Sequence, residues 1–279
     1  APAPPTPESP EIVLTGSYAM DDGRYANNGW LQELPDPVTK LSWDNAALIS
    51  PEYAKRLGVE TGDLLQIAIN EKNSTGTPTK RELVIAALVS PGHADNSVTV
   101  TLGWARKMPQ FVELPYAGGN LKEKPSLSEQ AGFNGYFLRT AANPHVAVAG
   151  AKGIETIQVT KVGRTYPFSI TQEHFSIEGR GLIREGTLEG YRKNNEFAKE
   201  IPGAEDLPNP PPSLYRHPPL DAPQQWGMSI DLNVCTGCNA CVIACQAENN
   251  IPVVGKDQTA RGRQMHWLRI DTYFAGGLD

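Results

Sequence analysis

Length, composition and charge already exclude several classes of protein. The chain has 279 residues, which predicts about two domains and allows at least one sizeable hydrophobic core. It carries 25 Lys and Arg against 31 Asp and Glu, and a net charge of −6 without a long basic run argues against a nucleic-acid-binding module. All four cysteines lie between Cys235 and Cys245, which excludes a disulfide-dense small secreted fold and indicates one local site.

Neither the apolar runs nor the first residues point to a membrane segment or a targeting signal. The longest uninterrupted apolar run, Leu83–Val89, is far shorter than the roughly 20 residues of a transmembrane helix, so we expect no membrane-spanning segment. The chain starts at Ala1 without an initiator Met or a charged-then-apolar leader. We interpret this start as a processed or cut end that holds no targeting information.

Prolines mark the expected domain boundaries. Of the 24 prolines, five fall in the first ten residues and eight between Pro202 and Pro223. Such stretches favour extended, weakly packed backbone, because proline has no amide donor and restricts the residue before it. The chain is therefore predicted to comprise a Pro-rich N-terminal segment, a β-rich domain, an extended Pro-rich linker and a second module, over residues 1–24, 25–165, 166–225 and 226–279.

A short helix is predicted early in the β-rich domain. Ser50 is a suitable N-cap, Pro51 suits the first helical turn, and Glu52 complements the positive end of the helix dipole. Gly58 follows Leu57 as a C-terminal stop signal, because glycine readily adopts the left-handed conformation that ends helices.

Several β-strands are predicted after this helix. Gly62-Asp63 is a turn signal, and Pro91-Gly92 separates two further β-rich runs. Leu65, Ile67 and Ile69 alternate with less apolar residues, as in a half-buried strand. The β-rich runs that complete the pattern are Arg81–Val89 and Ser97–Leu102. A helix, a turn and several strands predict a mainly β fold with α+β character, arranged as a small barrel.

These elements resemble a known barrel. Ser50–Asp63 (SPEYAKRLGVETGD), followed by an apolar strand, resembles the helix-turn-strand unit of double-psi β-barrels. Asn27–Pro37 (NNGWLQELPDP) and Gly132–Tyr136 (GFNGY) further resemble the C-terminal dinucleotide-binding domain of the molybdopterin oxidoreductases, in which the matching polar segments help to hold the pterin.

The residues leave pterin binding open at this stage. Asn27, Asn28 and Asn134 are also explained as turn residues, because asparagine tolerates left-handed backbone and caps its own chain. In the family, the cofactor is bound between this barrel and large upstream domains that also supply the metal ligand, and these 279 residues do not contain those domains. We therefore expect molybdopterin to be absent.

The second module contains the candidate metal ligands. Cys235, Cys238, Cys241 and Cys245 form a C-x2-C-x2-C-x3-C run, the spacing of bacterial ferredoxins. The first three thiolates are predicted to hold one 4Fe-4S cluster. In two-cluster ferredoxins the fourth cysteine ligates the other cluster, but the chain contains no further cysteine. Either the polypeptide is a fragment and further clusters lie in absent downstream sequence, or Cys245 completes the local cluster or stays free.

Two other chemistries fit the cysteines less well. A structural zinc site normally uses paired C-x2-C units a dozen or more residues apart. Two disulfides within one short loop rarely reach good geometry. We therefore favour an iron–sulphur cluster over both alternatives.

The flanking sequence resembles a particular class of electron-transfer subunit. Trp226–Leu232 precedes the motif, and Gln246–Asn250 follows it where bacterial ferredoxins commonly have proline. Both segments resemble the first cluster motif of the four-cluster subunits that serve molybdopterin oxidoreductases. The resemblance implies that residues 226–279 are the start of a ferredoxin-like domain, which is partial and truncated in this chain. Met265–Tyr273 resembles the strand that packs beneath the clusters in that family, and it places His266 on this strand as a packed residue.

A barrel joined directly to such a motif resembles the fused iron–sulphur subunit of alternative complex III, a bacterial quinol-oxidising complex. Thr171–Arg180 also resembles that family. The resemblance implies electron transfer within a respiratory or photosynthetic complex. It implies a membrane quinol-oxidising subunit, multihaem cytochrome c subunits and other subunits of the complex as partners, but no nucleic acid. It also implies a peripheral location at the periplasmic face of the bacterial inner membrane.

The sequence predicts no catalytic centre in this chain. It contains no G-x-S-x-G elbow, no Walker loop and no H-E-x-x-H motif. Whether the chain counts as part of an enzyme therefore depends on its complex. Two other functions stay open, namely a docking subunit whose cysteine motif is structural and a fragment of a molybdopterin-dependent oxidoreductase.

Overall fold

The computed structural model describes most of the chain in two compact units. The described residues are 4–72, 75–107, 130–140, 143–151, 153–181, 183–199, 213–216 and 218–276. The first unit comprises Ala1–Glu173, Gly237–Thr272 and Gly276–Asp279, and the second comprises His174–Thr236 and Tyr273–Ala275. Residues 237–272 thus share a unit with the β-rich part of the chain. No described helix combines the length and the apolar composition that crossing a bilayer would require.

Short strands dominate the first unit. The strands are β1 (Glu11–Gly16), β2 (Leu41–Ser42), β3 (Ala47–Ile49), β4 (Asp63–Lys72), β5 (Pro78–Val89), β6 (Ser97–Leu102), β7 (Arg106–Lys107), β8 (Gln130–Ala131), β9 (Val146–Ala147), β10 (Ile154–Thr165) and β11 (Ser169–Ile170). The helices are α1 (Gly29–Glu33), α2 (Pro51–Leu57), α3 (Leu188–Lys193), α4 (Ala240–Glu248) and α5 (Lys256–Ala260), of which α3 lies in the second unit.

Seven strands form one mixed sheet in the order β10-β4-β5-β3-β6-β1-β9. β1 pairs with β6 and β3 pairs with β5 in parallel, and the other neighbours are antiparallel. β1 runs through the segment predicted as Pro-rich, and its register with β6 extends from Glu11 opposite Ser97 to Gly16 opposite Leu102. The prolines of the first ten residues therefore precede an inner strand of the sheet, which lies between β6 and the edge strand β9.

Helix α2 has the ends that its sequence predicts. The side chain of Ser50 accepts a hydrogen bond from the amide of Tyr53 at 3.0 Å, which satisfies one of the unpaired donors of the first turn. Gly58 ends the helix in the left-handed conformation, with φ +64°. The predicted strands are also confirmed, because β4, β5 and β6 cover the three β-rich runs.

The core lies along the central strands. In β4, the alternating residues Leu65, Ile67 and Ile69 are fully buried, and they pack with Ile85 of β5 and Ile157 of β10. Leu64 and Ala68, on the other face of β4, are also buried, so this strand is covered on both faces where the alternation of the sequence predicts a half-buried one. The core cluster also includes Phe133 and Tyr166, whose rings meet edge to face at a centroid distance of 4.9 Å.

A buried ion pair joins residues 237–272 to the β-rich part of the same unit. The ammonium of Lys256, the first residue of α5, lies 2.8 Å from the Oδ2 atom of Asp44. Both residues are 2% exposed. Tyr166 donates its hydroxyl hydrogen to the Oδ1 atom of Asp44 at 2.7 Å, and the ammonium of Lys256 donates to the Tyr166 hydroxyl. Each partner therefore has its charge or polar group satisfied inside the protein.

The predicted strand at residues 265–273 is wrong, because the structure assigns no strand there. A strand needs the backbone of a neighbour for its ladder of hydrogen bonds. The backbone of Thr272 instead pairs with a side chain: its amide donates to the Oε1 atom of Gln172 at 2.8 Å, and its carbonyl accepts from Nε2 at 2.6 Å. The side-chain amide of Gln172 thus replaces one rung of a sheet.

The second unit has little regular structure among its described residues. Helix α3 begins after Thr187, whose hydroxyl accepts from the amide of Gly190 at 3.1 Å. The rings of Phe175 and Phe274 lie 5.7 Å apart, and the amide of Phe274 donates to the carbonyl of Phe175 at 3.0 Å. Large apolar side chains before the cysteines, such as Trp226, are exposed.

Replacing Lys256 tests the ion pair. We expect Lys256→Met to lower the free energy of unfolding by about 3–5 kcal/mol, because Asp44 would stay buried without its cation. The Asp44→Asn/Lys256→Met double variant removes both charges and keeps an acceptor for Tyr166, so it should lose clearly less. Urea unfolding measures both variants, with Lys55→Met, a change at an exposed position of α2, as the control. A double variant as unstable as Lys256→Met would contradict the role given to the unpaired carboxylate.

Candidate metal centre

The four predicted ligands lie on one loop and the helix that follows it. Cys235 and Cys238 precede α4, whereas Cys241 and Cys245 lie within it. Because Cys241 and Cys245 are four residues apart in a helix, they share one face. Cys235 belongs to the second unit and the other three cysteines to the first.

The cysteines carry accessible sulphurs and form no disulfide. All four are within the described part of the chain, where three are exposed and Cys245 is half-buried. The structure therefore contradicts the alternative in which the four cysteines form two disulfides. Among the residues that the structure describes, no group of three or more His, Cys, Asp or Glu side chains is placed to hold a metal. The structure thus brings the four cysteines into one short segment without gathering three of them around one point.

Local backbone conformation gives the cysteine loop its turns. Gly237 has φ +70° and Asn239 has φ +61°, so one left-handed residue lies directly before Cys238 and another directly after it. Only glycine adopts this conformation without strain, and asparagine is among the few others that tolerate it. The space beside Gly237 is open: among the described residues, a Cβ atom at this position would contact only the Cγ2 atom of Ile270, at 3.9 Å.

The donor set and the loop fit an iron–sulphur cluster. Thiolates are the soft ligands that such clusters take, and the spacing of the four cysteines is that of a cluster-binding run. Exposed sulphurs and a loop with two left-handed residues leave room for a group that several thiolates share. The chemistry of the donors supports the group, although the sulphurs do not converge in this structure.

Two hydrogen bonds fix α4 at both ends against α1 and the loop after it. Asn239, which is 2% exposed, donates from Nδ2 to the carbonyl of Pro35 at 2.6 Å. At the other end, the indole of Trp30 donates to the carbonyl of Ile251 at 2.6 Å. Because Asn239 lies between Cys238 and Cys241, its anchor also positions the middle of the cysteine run.

A buried carboxylate holds the chain after α4. Oε2 of Glu33 accepts hydrogen bonds from the amides of Gly255 at 2.9 Å and Val254 at 3.0 Å, and from the indole of Trp43 at 3.2 Å. Burial raises the pKa of Glu33 above its usual value, because the loss of hydration outweighs the opposing effect of these hydrogen bonds. Neither Glu33 nor Asn239 had a sequence signal, because each acts on a backbone group far away in the chain.

A pocket of the first unit opens beside Cys238. The loop of residues 35–39 forms one wall together with Cys238, and Asn45 and Trp104 lie on other sides. The amide of Asn45 is fully used, because Nδ2 donates to the carbonyls of Thr101 and Phe133. The indole nitrogen of Trp104 has no hydrogen-bond partner in the described part of the structure.

Two asparagines of the pterin-like segments, Asn28 and Asn134, serve as caps. Asn28 accepts from the amide of Leu31 at 3.2 Å, and Asn134 accepts from the amide of Tyr136 at 3.1 Å. Each lies immediately before the helical turn that it caps. This is the role that the turn interpretation of these residues predicted.

His266 lies in irregular backbone, not on the predicted strand. Its Nε2 atom has no hydrogen-bond partner among the residues described. Burial, and secondarily the positive charge of Arg269, lower the pKa of His266 from its usual 6.5 to about 4. The imidazole is therefore neutral near pH 7.

Comparison with known proteins identifies two relatives. No protein-family model matches the chain. It is 52% identical to the menaquinone reductase iron–sulfur cluster-binding subunit of Nitratidesulfovibrio vulgaris over 46 residues. These residues are 16% of this chain and 18% of the relative. It is also 54% identical to ArrB, the arsenate respiratory reductase iron–sulfur subunit of Chrysiogenes arsenatis, over 26 residues. These residues are 9% of this chain and 87% of the ArrB sequence.

The chain thus spans about a fifth of the length of the menaquinone reductase subunit that it matches. It covers most of the arsenate reductase sequence at more than half identity. On that ground, the chain belongs to the family of iron–sulphur subunits of oxidoreductases.

Two variants of Glu33 test the carboxylate contact. We expect Glu33→Ala to lower the free energy of unfolding by about 3 kcal/mol, because two buried donors and one half-buried donor lose this acceptor. Glu33→Gln should cost much less, since its amide oxygen accepts the same hydrogen bonds and the change removes a buried charge. Urea unfolding at pH 7 measures both. If Gln is as harmful as Ala, the charge and not the acceptor stabilises this contact.

The pKa of His266 predicts a pH dependence of stability. Because the folded pKa lies below the unfolded one, the contribution of neutral His266 is complete above pH 6.5 and is lost as the pH falls towards about 4. His266→Gln should therefore flatten the fall of the free energy of unfolding in this range. Urea unfolding across the same pH range measures it, with exposed His145→Gln as control. An unchanged profile in His266→Gln would show that other groups cause the fall.

Proposed function

We propose that this chain relays electrons through a 4Fe-4S cluster held by Cys235, Cys238 and Cys241. The observation that carries the proposal is the ligand run itself, anchored by the buried side chain of Asn239 between two of its cysteines. The cluster supplies one-electron transfer when it is bound, and the chain holds its thiolate ligands on one loop and the first turn of the helix that follows it. The names of the two relatives, both iron–sulphur subunits, agree with this chemistry.

Cys245 is assigned to a different cluster in this proposal. It is half-buried, whereas the other three cysteines are exposed. Its sulphur also accepts a contact from the side-chain amide of Asn249 at 3.5 Å. A cysteine in a different environment on the same helix is consistent with a ligand for a neighbouring cluster, as in two-cluster ferredoxins.

We further propose that the β-rich part is a double-psi β-barrel that holds no molybdopterin and serves as a scaffold for the cluster segment. Its helix-turn-strand unit supports the fold, together with the parallel pairs of β1 with β6 and β3 with β5. The caps formed by Asn28 and Asn134 support the scaffold role, because these side chains already have partners within the protein.

The proposed setting is a quinol-oxidising complex at the periplasmic face of a bacterial inner membrane, like alternative complex III. Electrons would pass from a membrane quinol-oxidising subunit, through this chain, to multihaem cytochrome c subunits. The fused order of barrel and cysteine motif supports this setting. The name of the menaquinone reductase relative supports a quinone as the substrate of the whole complex.

Cluster reconstitution tests the cysteine assignment. After anaerobic incubation of the purified chain with iron and sulphide, we expect iron, absorbance near 400 nm and an EPR signal on reduction. Cys238→Ser should lose most of the iron because it removes a ligand of the local cluster, whereas Cys245→Ser, its matched control, should keep most of it. Iron content and EPR spectra measure both variants.

Other outcomes would contradict the proposal in different ways. About one zinc per chain in place of iron would indicate a structural metal site. Iron that forms no reducible species at any accessible potential would leave a docking role. Equal loss of iron in both variants would place Cys245 in the local cluster.

A further inference from the structure

Asp44 belongs both to the buried ion pair with Lys256 and to the wall of the pocket that opens beside Cys238. Its Oδ2 atom lies 2.8 Å from the ammonium of Lys256, and the residue is 2% exposed. Asp44 and Cys238 line the same pocket. Because the carboxylate is buried, a proton reaches it only through a space within the protein, and this pocket is such a space.

The size and the lining of the pocket suit water. Its volume of about 30 Å³ is enough for roughly two water molecules. Trp104 also lines the pocket, and its indole nitrogen is buried without a hydrogen-bond partner in the described part of the chain. A buried N–H group is normally hydrogen-bonded to the protein or to ordered water. The pocket therefore has both the room and a free donor for water beside the carboxylate of Asp44 and the cysteine run.

The groups that face Asp44 leave its carboxylate as the site for a further proton. Burial raises the pKa of Asp44, whereas the ammonium of Lys256, the hydroxyl of Tyr166 and the backbone of Ser169 lower it. Burial lowers the pKa of Lys256, and the charge of Asp44 opposes this effect. Burial and the charge of Asp44 raise the pKa of Tyr166 well above its usual 10.0, so the phenol keeps its proton. The ammonium and the phenol are thus already protonated, and the carboxylate is not.

We propose that Asp44 binds a proton when the cluster of the proposed function is reduced, so that this chain couples electron transfer to proton uptake. Reduction adds one negative charge at the cysteine run, and a negative charge inside a protein raises the proton affinity of a buried carboxylate. The electron comes from a one-electron donor, the preceding carrier of the relay. The proton comes from solvent through water in the pocket, where one O–H bond breaks as another forms at Asp44. The ammonium of Lys256 is then unpaired, and its charge balances the added electron.

A pH series of redox titrations tests this inference, which rests on the proposed function. In the reconstituted wild-type chain, the midpoint potential of the cluster should fall as the pH rises over part of the range from about pH 5 to about pH 9. The fall should reach about 59 mV for each tenfold change in proton concentration, because one proton accompanies one electron. In Asp44→Asn/Lys256→Met, which has no carboxylate to protonate, the potential should not change with pH. EPR-monitored titrations measure both chains.

Asp36→Asn is the matched control, because Asp36 is a second carboxylate that lines the same pocket. The Oδ1 atom of Asp36 accepts hydrogen bonds from the amides of Val38 and Thr39, and asparagine keeps an acceptor there. This variant should show the wild-type dependence of the potential on pH. A flat profile in Asp36→Asn, with the wild-type profile in the double variant, would assign the proton to Asp36 and overturn the inference.

Infrared spectroscopy and a milder variant give independent readouts. The difference spectrum between reduced and oxidised wild type should contain the carbonyl band of a newly protonated carboxylic acid, and the double variant should lack this band. Tyr166→Phe serves where circular dichroism shows that the double variant is unfolded. It removes the hydroxyl that donates to Asp44, which raises the proton affinity of the carboxylate, so the pH range of the slope should move upwards. An unmoved range in folded Tyr166→Phe would contradict the assignment to Asp44.

The wild-type chain alone separates failure of this inference from failure of the proposed function. If it takes up no cluster, the proposed function fails, and the inference fails with it. If its cluster content is normal but the midpoint potential is the same at every pH, only the inference is overturned. A folded double variant that keeps the wild-type slope has the same consequence, because the ion pair would then be purely structural.

Discussion

The buried pair of Asp44 and Lys256 is the interaction on which the candidate centre depends. Asp44 belongs to the β-rich part of the first unit, and Lys256 comes shortly after the cysteine helix α4. Tyr166 donates to the carboxylate and lies under the ammonium, which is 4.1 Å from its ring centroid. Charges placed this deeply are stable only with their partners in position, so the pair forms only when both segments are correctly placed.

The other contacts between these segments have the same polar character. Glu33 binds the backbone before α5, and Asn239 binds the backbone of Pro35. Each is directional, and each would leave buried groups unsatisfied if the helix shifted by one residue. Apolar packing alone tolerates such shifts more easily. The polar contacts therefore define a register for the cysteine run, a condition that a ligand set needs more than it needs extra stability.

Local signals in the sequence were sufficient for local structure. The caps at Ser50 and Gly58 define α2 without help from distant residues, and the alternation of Leu65–Ile69 defines a strand. The strand expected at 265–273 from the family resemblance is wrong, because a resemblance does not supply a neighbouring backbone, and the side chain of Gln172 pairs with that segment instead. In the same way, the cysteine spacing indicates the ligands but contains nothing about Glu33 or Asn239, whose partners are far away in the chain.

These observations give the two parts of the first unit distinct roles. The β-rich part supplies a rigid, well-packed surface, and its polar side chains hold α4 without covering the cysteine sulphurs, three of which are exposed. A redox group needs fixed ligands so that electron transfer requires little rearrangement, and it needs a surface that other subunits can approach. Anchoring the helix from behind, through Asn239 and Trp30, meets both needs at once. The buried polar contacts thus belong to the site as much as the cysteines do.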